Sequence, residues 1–97
     1  MLIFSQPLEF EWDHGNMGKN IKHRVSEEEC EEAFFDPQKR LVKDVLHSGL
    51  EGRYILLGQT RNGRNLFVVF TMRKLRIRII SARDLNRRER YLYEETT

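Results

Sequence analysis

A single cysteine, Cys30, excludes an intramolecular disulfide and suits a reducing compartment. No stretch is long and apolar enough to span a bilayer, and the N-terminus lacks the charged-then-apolar layout of a secretion signal. The expectation is a cytoplasmic protein that makes no use of a membrane. His14, His23, His47 and Cys30 do not have the spacing of zinc ligands, and no glycine-rich phosphate loop or Ser-His-Asp or Cys-His signature is present. No metal and no cofactor are therefore expected. Internal repeats, linkers and low-complexity segments are also missing, so residues 1–97 read as one domain, large enough for a single core.

What the chain does have is charge, unevenly spread. Residues 1–52 hold six Lys/Arg against eleven Asp/Glu, a net of −5, and residues 53–90 hold eleven Lys/Arg against two acids, a net of +9. Glu94 and Glu95 follow, and the whole chain carries only +2. The bland alternative is a set of cations that simply keeps the surface in solution. Ten of the eleven cations in the basic half are arginine, however, whose planar fork suits phosphate better than generic solubility requires. A polyanionic partner follows as the first hypothesis.

Residues 8–12 alternate apolar and acidic, as a short edge strand would. Asp13 is a plausible N-cap for a helix reaching Lys22 or His23, weakened by Gly15 and Gly18. Ser26 with Glu29 is a capping box, and Cys30, Ala33 and Phe34 form the buried stripe of a second helix that must end before Pro37. Strands are expected at residues 41–46, 53–59, 64–72 and 76–81. Ser81 with Asp84 resembles a helix start, with Ala82, Leu85, Glu89 and Leu92 spaced as one helical stripe and Arg87, Arg88 and Arg90 pointing elsewhere. The fold class is α+β: a four-stranded antiparallel meander plus a short N-terminal strand, packed by two N-terminal helices and one C-terminal helix.

Strand register decides where the arginines meet. Asn62-Gly63 suggests a two-residue type I′ turn, which pairs Arg61 with Arg64 and sets Arg53 on the face of Arg64. A three-residue connection after Met72 then brings Arg76 and Arg78 to that same face. The expectation is a four-arginine cluster. Metal-free RNA cleavage needs a base for the 2′-hydroxyl, an acid for the leaving oxygen, and fixed cations at the phosphorus. Glu51 or His23 could move the protons while Arg64 and Arg78 hold the phosphate. Taken alone, His23 is more simply a capping or surface residue, and Glu51 a solvent-facing acid.

The ordered set FEWD (residues 10–13), GN (15–16), KN (19–20), KH (22–23), HS (47–48), GRY (52–54), LGQT (57–60), FVVFT (67–71) and IISARD (79–84), followed by RRER and Tyr93, resembles the BrnT-type toxins of bacterial toxin–antitoxin pairs. The resemblance covers residues 10–95. It implies a RelE-like fold and a ribonuclease that stops translation, whether ribosome-linked or not. It also implies neutralisation by a ribbon-helix-helix, BrnA-like antitoxin, with promoter DNA bound only through the joint complex. The family's positions carry over as catalytic candidates onto His23, Glu51, Arg53, Arg64, Arg78 and Arg83. Lys22, Arg61, Arg73, Lys74 and Arg76 are expected to bind RNA. The rival expectation is a catalytically weak member that keeps the fold as a binding module and acts with an antitoxin in autorepression.

Overall fold

A computed structural model describes residues 7–18, 23–44 and 52–94. The described elements run α1 (Glu27–Ala33), β1 (Arg40–Lys43), β2 (Arg53–Gln59), β3 (Asn65–Arg73), β4 (Arg76–Asp84) and α2 (Arg87–Glu94). The four strands form one antiparallel sheet in the order β1-β2-β3-β4, so the expected α+β meander is present. One sheet face buries Leu56, Leu66, Val68, Phe70, Ile77, Ile79 and Ala82 against Val25, Cys30, Ala33 and Phe34. The other packs Leu57, Leu85 and Tyr93 with half-buried Ile55 and Phe67, under α2. Alternation along each strand produces this two-sided core.

The capping box of α1 is formed as read: the Ser26 hydroxyl accepts from the Glu29 N–H, and the Glu29 carboxylate accepts from the Ser26 N–H, both at 3.0 Å. Glu27, Glu28 and Glu29 occupy its first turn, where the helix dipole favours acids.

Two helices are found among the described residues, not three. Residues 14–18 form turns, anchored by N–H donation from Asn16 and Met17 to the Asp13 carbonyl, and Gly18 leaves helical geometry at φ +70°. The N-terminal strand shrinks to an isolated parallel bridge of Phe10 with Ile77, on the outer edge of β4. The C-terminal helix also starts later than its sequence suggested. Residues 81–84 stay in β4, opposite Val69, Val68, Phe67 and Leu66. A bulge at Ile80 adds one residue to β4, which resets the alternation and hides the strand's continuation from a period-two reading. The real start is Asn86, which exchanges hydrogen bonds with Glu89 in a second capping box (2.8 and 3.0 Å). As a result Leu92 is exposed and Tyr93 is the residue that α2 buries.

Both hairpins differ from expectation. Thr60 pairs with Arg64 across a three-residue loop, in which Gly63 alone takes positive φ (+86°), where a type I′ pair would also need Asn62 there. The next hairpin is the two-residue one: Arg73 pairs with Arg76 across Lys74 (φ +50°) and Leu75 (φ +68°). Neither residue advertises a left-handed conformation, so this turn was poorly legible.

Candidate functional site

The hairpin lengths determine which arginines share a face. Arg53 stands opposite Thr71, and Thr71 stands opposite Arg78, so these three form one cross-strand row. Arg73 and Arg76 continue the same face by alternation, as does Arg83 at the far end of β4. The three-residue loop sends Arg64 to the opposite face, toward α1. The expected four-arginine cluster is thus corrected to Arg53, Arg76 and Arg78 on one face with Arg64 on the other.

Arg78 is held by a purpose-shaped turn. Its Nη1 donates to Glu11 Oε1 (2.9 Å) and Asp13 Oδ2 (2.8 Å), and its Nη2 donates to Asp13 Oδ1 (2.8 Å). Asp13 is fixed in turn, because its Oδ1 accepts from the Gly15 N–H at 2.7 Å. Buried Asn16 pins the turn to the sheet by donating to the Glu11 carbonyl (2.8 Å) and to the Ile79 carbonyl (3.0 Å), next to the bulge. A Cβ at Gly15 would lie 2.5 Å from Arg78 Nη2 and 3.0 Å from Asp13 Oδ1, so a side chain there would push the guanidinium tip out of its seat. Hydrogen bonds from Arg78 and then from the Gly15 amide hold the Asp13 carboxyl down at about 2. The FEWD-x-GN pattern is therefore a guanidinium cradle, and its Trp12 ties the cradle to α1 by donating to Glu31 Oε2 at 2.7 Å.

The cradle grips Arg78 end-on. Its Nε–H and one Nη2–H have no acceptor among the described residues. Those two groups form a lateral fork of the kind that receives a carboxylate or phosphate side-on. Beside it, Thr71 Oγ1 donates to the Gly52 carbonyl at 2.6 Å, which fixes the chain entering Arg53. Arg73 and Arg76 are paired loosely, to Glu11 (3.7 Å) and Glu9 (3.6 Å).

Arg64 is held differently. Its Nε and Nη2 donate to Asp84, at 2.6 and 3.1 Å. Its Nη1 donates to the Arg24 carbonyl (2.6 Å) and to Glu29 (3.2 Å), and Nη2 also donates to the His23 carbonyl (2.9 Å). All five guanidinium N–H groups are consumed. Hydrogen bonds and charge from Asp84 and Glu29 push the Arg64 pKa up, and Arg64 in turn lowers the Asp84 carboxyl. Arg83 stacks 4.1 Å above the Phe67 ring and binds Glu89 through both Nη atoms at 2.7 Å.

The structure therefore gathers Arg53, Arg73, Arg76 and Arg78 near the start of β4, and His23 with Arg64 near its end. Arg78 and Asp84 stand opposite Thr71 and Leu66, five residues apart along β3, roughly 16–17 Å. A single phosphate cannot touch both groups. Arg61 and Lys74 stand exposed at the two hairpin turns. Lys22 and Glu51 lie outside the described residues. Glu11, Asp13, Gly15 and Asn16 join the site without having been expected there from sequence. The signal that could have found them is the acidic alternation ahead of a Gly-Asn turn in a chain rich in sheet arginines.

This arrangement of sheet arginines and acidic N-terminal turn coincides with a family match. Residues 12–89 match the family described as "Ribonuclease toxin, BrnT, of type II toxin-antitoxin system". The chain belongs to the BrnT family. A comparison with curated proteins finds no match. BrnT membership makes the chain a ribonuclease toxin with a cognate antitoxin as partner. The match begins at Trp12, so it takes in Asp13, Gly15 and Asn16 of the Arg78 cradle, as well as Arg64 and Arg83. No helix among the described residues is long and apolar enough to cross a membrane.

Proposed function

We propose that the chain cuts RNA internally and without a metal, on a RelE-like sheet in the cytoplasm, at the face carrying Arg53 and Arg78. The observation that carries this reading is the lateral fork of Arg78, unpaired among the described residues and held in place by acids that bind only its far end. In the reaction the 2′-oxygen forms a bond to phosphorus as the bond to the 5′-oxygen breaks. A base takes the 2′-hydroxyl proton and an acid delivers one to the leaving oxygen. Arg78 and Arg53 stabilise the charge that grows on the phosphoryl oxygens.

Glu51, two residues before Arg53, is the proton-transfer group assigned to this face, and that assignment rests on sequence alone. Arg83 lies farther along the same face, where its guanidinium, stacked on Phe67, offers its outer side to a flanking base. Arg64 acts as a strut: by gripping the His23 carbonyl it holds that histidine for a neighbouring part of the RNA. Arg73, Lys74 and Arg76, with Lys22 and Arg61 farther off, guide the backbone. A ribbon-helix-helix antitoxin of the BrnA kind neutralises the toxin, and promoter DNA is bound only by the joint complex.

Purified chain incubated with a mixed-sequence transcript in excess chelator tests the reading. Fragments ending in 2′,3′-cyclic phosphate and 5′-hydroxyl groups are expected, and a 2′-deoxy substitution at the cut position should stop cleavage there. Intact transcripts, or cutting that appears only when a divalent ion is restored, would overturn it. Intact RNA together with tight antitoxin binding would favour the binding-module alternative.

A further inference from the structure

The acids that hold the sheet arginines also cancel their fields. Arg78 faces Glu11 and Asp13, Arg64 faces Glu29 and Asp84, Arg76 faces Glu9, and Arg83 faces Glu89. Such a face can orient a phosphate, but it attracts a polyanion only weakly from a distance. Helix α2 is different. Arg87, Arg88 and Arg90 are all exposed, and their side chains make no hydrogen bond or ion pair with any described residue; Arg90 reaches Asp84 only as a more distant charge. Tyr91 follows, with 71 % of its surface open to solvent.

Helical spacing organises these four side chains. Arg87 and Tyr91 lie one turn apart on a single face, and Arg88 and Arg90 flank it on either side. Glu89 and Tyr93 turn inward, to Arg83 and Asp36. Glu94 is the outward acid among the described residues of this helix. Arg87 and Arg88 also occupy the first turn, where the helix dipole disfavours cations. Neither pairing nor helix stability accounts for these arginines being where they are.

We propose that the outer face of α2 is the RNA-docking surface of this toxin, with Arg87, Arg88 and Arg90 on successive phosphates and Tyr91 stacked on a base. The proposal rests on the reading that the substrate is RNA, and it adds a binding element outside the candidate reaction site. Charge complementarity favours a polyanion, and an exposed tyrosine among arginines favours single-stranded nucleic acid, whose unstacked bases can reach an aromatic ring. Because α2 covers part of the sheet face that carries Arg53 and Arg78, RNA docked on it would be held on that side of the molecule.

The test is binding of a labelled, fully 2′-O-methylated single strand, which cannot undergo 2′-hydroxyl attack, followed by fluorescence anisotropy at several salt concentrations. Combined Arg87→Ala, Arg88→Ala and Arg90→Ala should weaken binding roughly tenfold or more and flatten the slope of log affinity against log salt by about 2, as expected for three lost phosphate contacts. The three Arg→Lys changes should restore most of the slope. Tyr91→Ala should cost several-fold in affinity and leave the slope unchanged. Equal affinity and slope for the triple alanine variant would overturn the proposal. So would unchanged RNA binding combined with loss of antitoxin binding, which would make α2 a protein interface. Wild-type binding that the alanine variant loses, with no cleavage of unmodified RNA by either, would leave the docking surface standing and sink the nuclease reading.

Discussion

Arg64 and Arg78 look alike from a distance, each an arginine of the sheet gripping two carboxylates, yet they are spent differently. Arg64 uses every donor on α1, on the turn at His23 and Arg24, and on the end of β4. Arg78 is seized by the end and keeps its side fork. Ion pairing therefore does not by itself separate a structural arginine from a ligand-binding one. What separates them is which donors remain. Arg64 fastens two elements to the sheet, whereas Arg78 is itself the fastened part.

The largest effect that could break this comparison is on activity at Arg78. Arg78→Lys keeps the charge and can still pair with Asp13, but it lacks the planar fork. RNA cleavage should fall about 10²–10³-fold, the usual cost of removing one preorganised donor group from a developing anion. The melting temperature should stay within a few degrees of wild type. Cleavage within threefold of wild type would show that the fork is not used.

Arg64→Ala should invert that pattern. It strands Glu29, Asp84 and two backbone carbonyls, and the Arg64 side chain is only 25 % exposed. A loss of about 2–3 kcal/mol is expected, below the value for a fully buried pair because solvent can partly replace the guanidinium. Urea unfolding measures it directly. A variant as stable as wild type but inactive would return Arg64 to the phosphate-holding role that the sequence suggested.

That pair of outcomes bears on what could be read without coordinates. The strands were legible because their apolar alternation is strong, and the α1 cap was legible because Ser26 and Glu29 are a local pattern. The partition of arginines between faces depends on loop lengths, and there the local signals misled. Asn62-Gly63 points to a two-residue turn, yet only Gly63 takes the left-handed conformation. Lys74 and Leu75 carry no turn signal, yet both adopt it. The two errors offset for Arg53 and Arg78, which share a face as expected, and remained for Arg64. The bulge at Ile80 likewise shifted the expected buried position of α2 from Tyr93 to Leu92. Chemistry that joins residues 65 positions apart, such as Asp13 with Arg78, leaves no periodic trace in a single chain.

The smallest predicted effect concerns acid, and it sharpens the comparison from the carboxylate side. The Asp13 carboxyl sits at about 2 in the folded protein, chiefly through the hydrogen bond from Arg78, against an ordinary value near 4. A depressed folded value means that its contribution is present in full above about pH 4. That contribution is lost as pH falls toward about 2. Asp84, lowered mainly by Arg64, contributes with the same sign. Wild-type stability should therefore decline across that acid window, and Asp13→Asn should make the decline slightly shallower while leaving the neutral-pH fold intact. Thermal melts at half-unit steps between pH 2 and 5 would resolve the difference. If Asp13→Asn shows the full wild-type decline, while carboxyl NMR of the wild type finds Asp13 titrating near 4, then the cradle does not hold Arg78 in solution. Its lateral fork would then have no fixed orientation toward a phosphate.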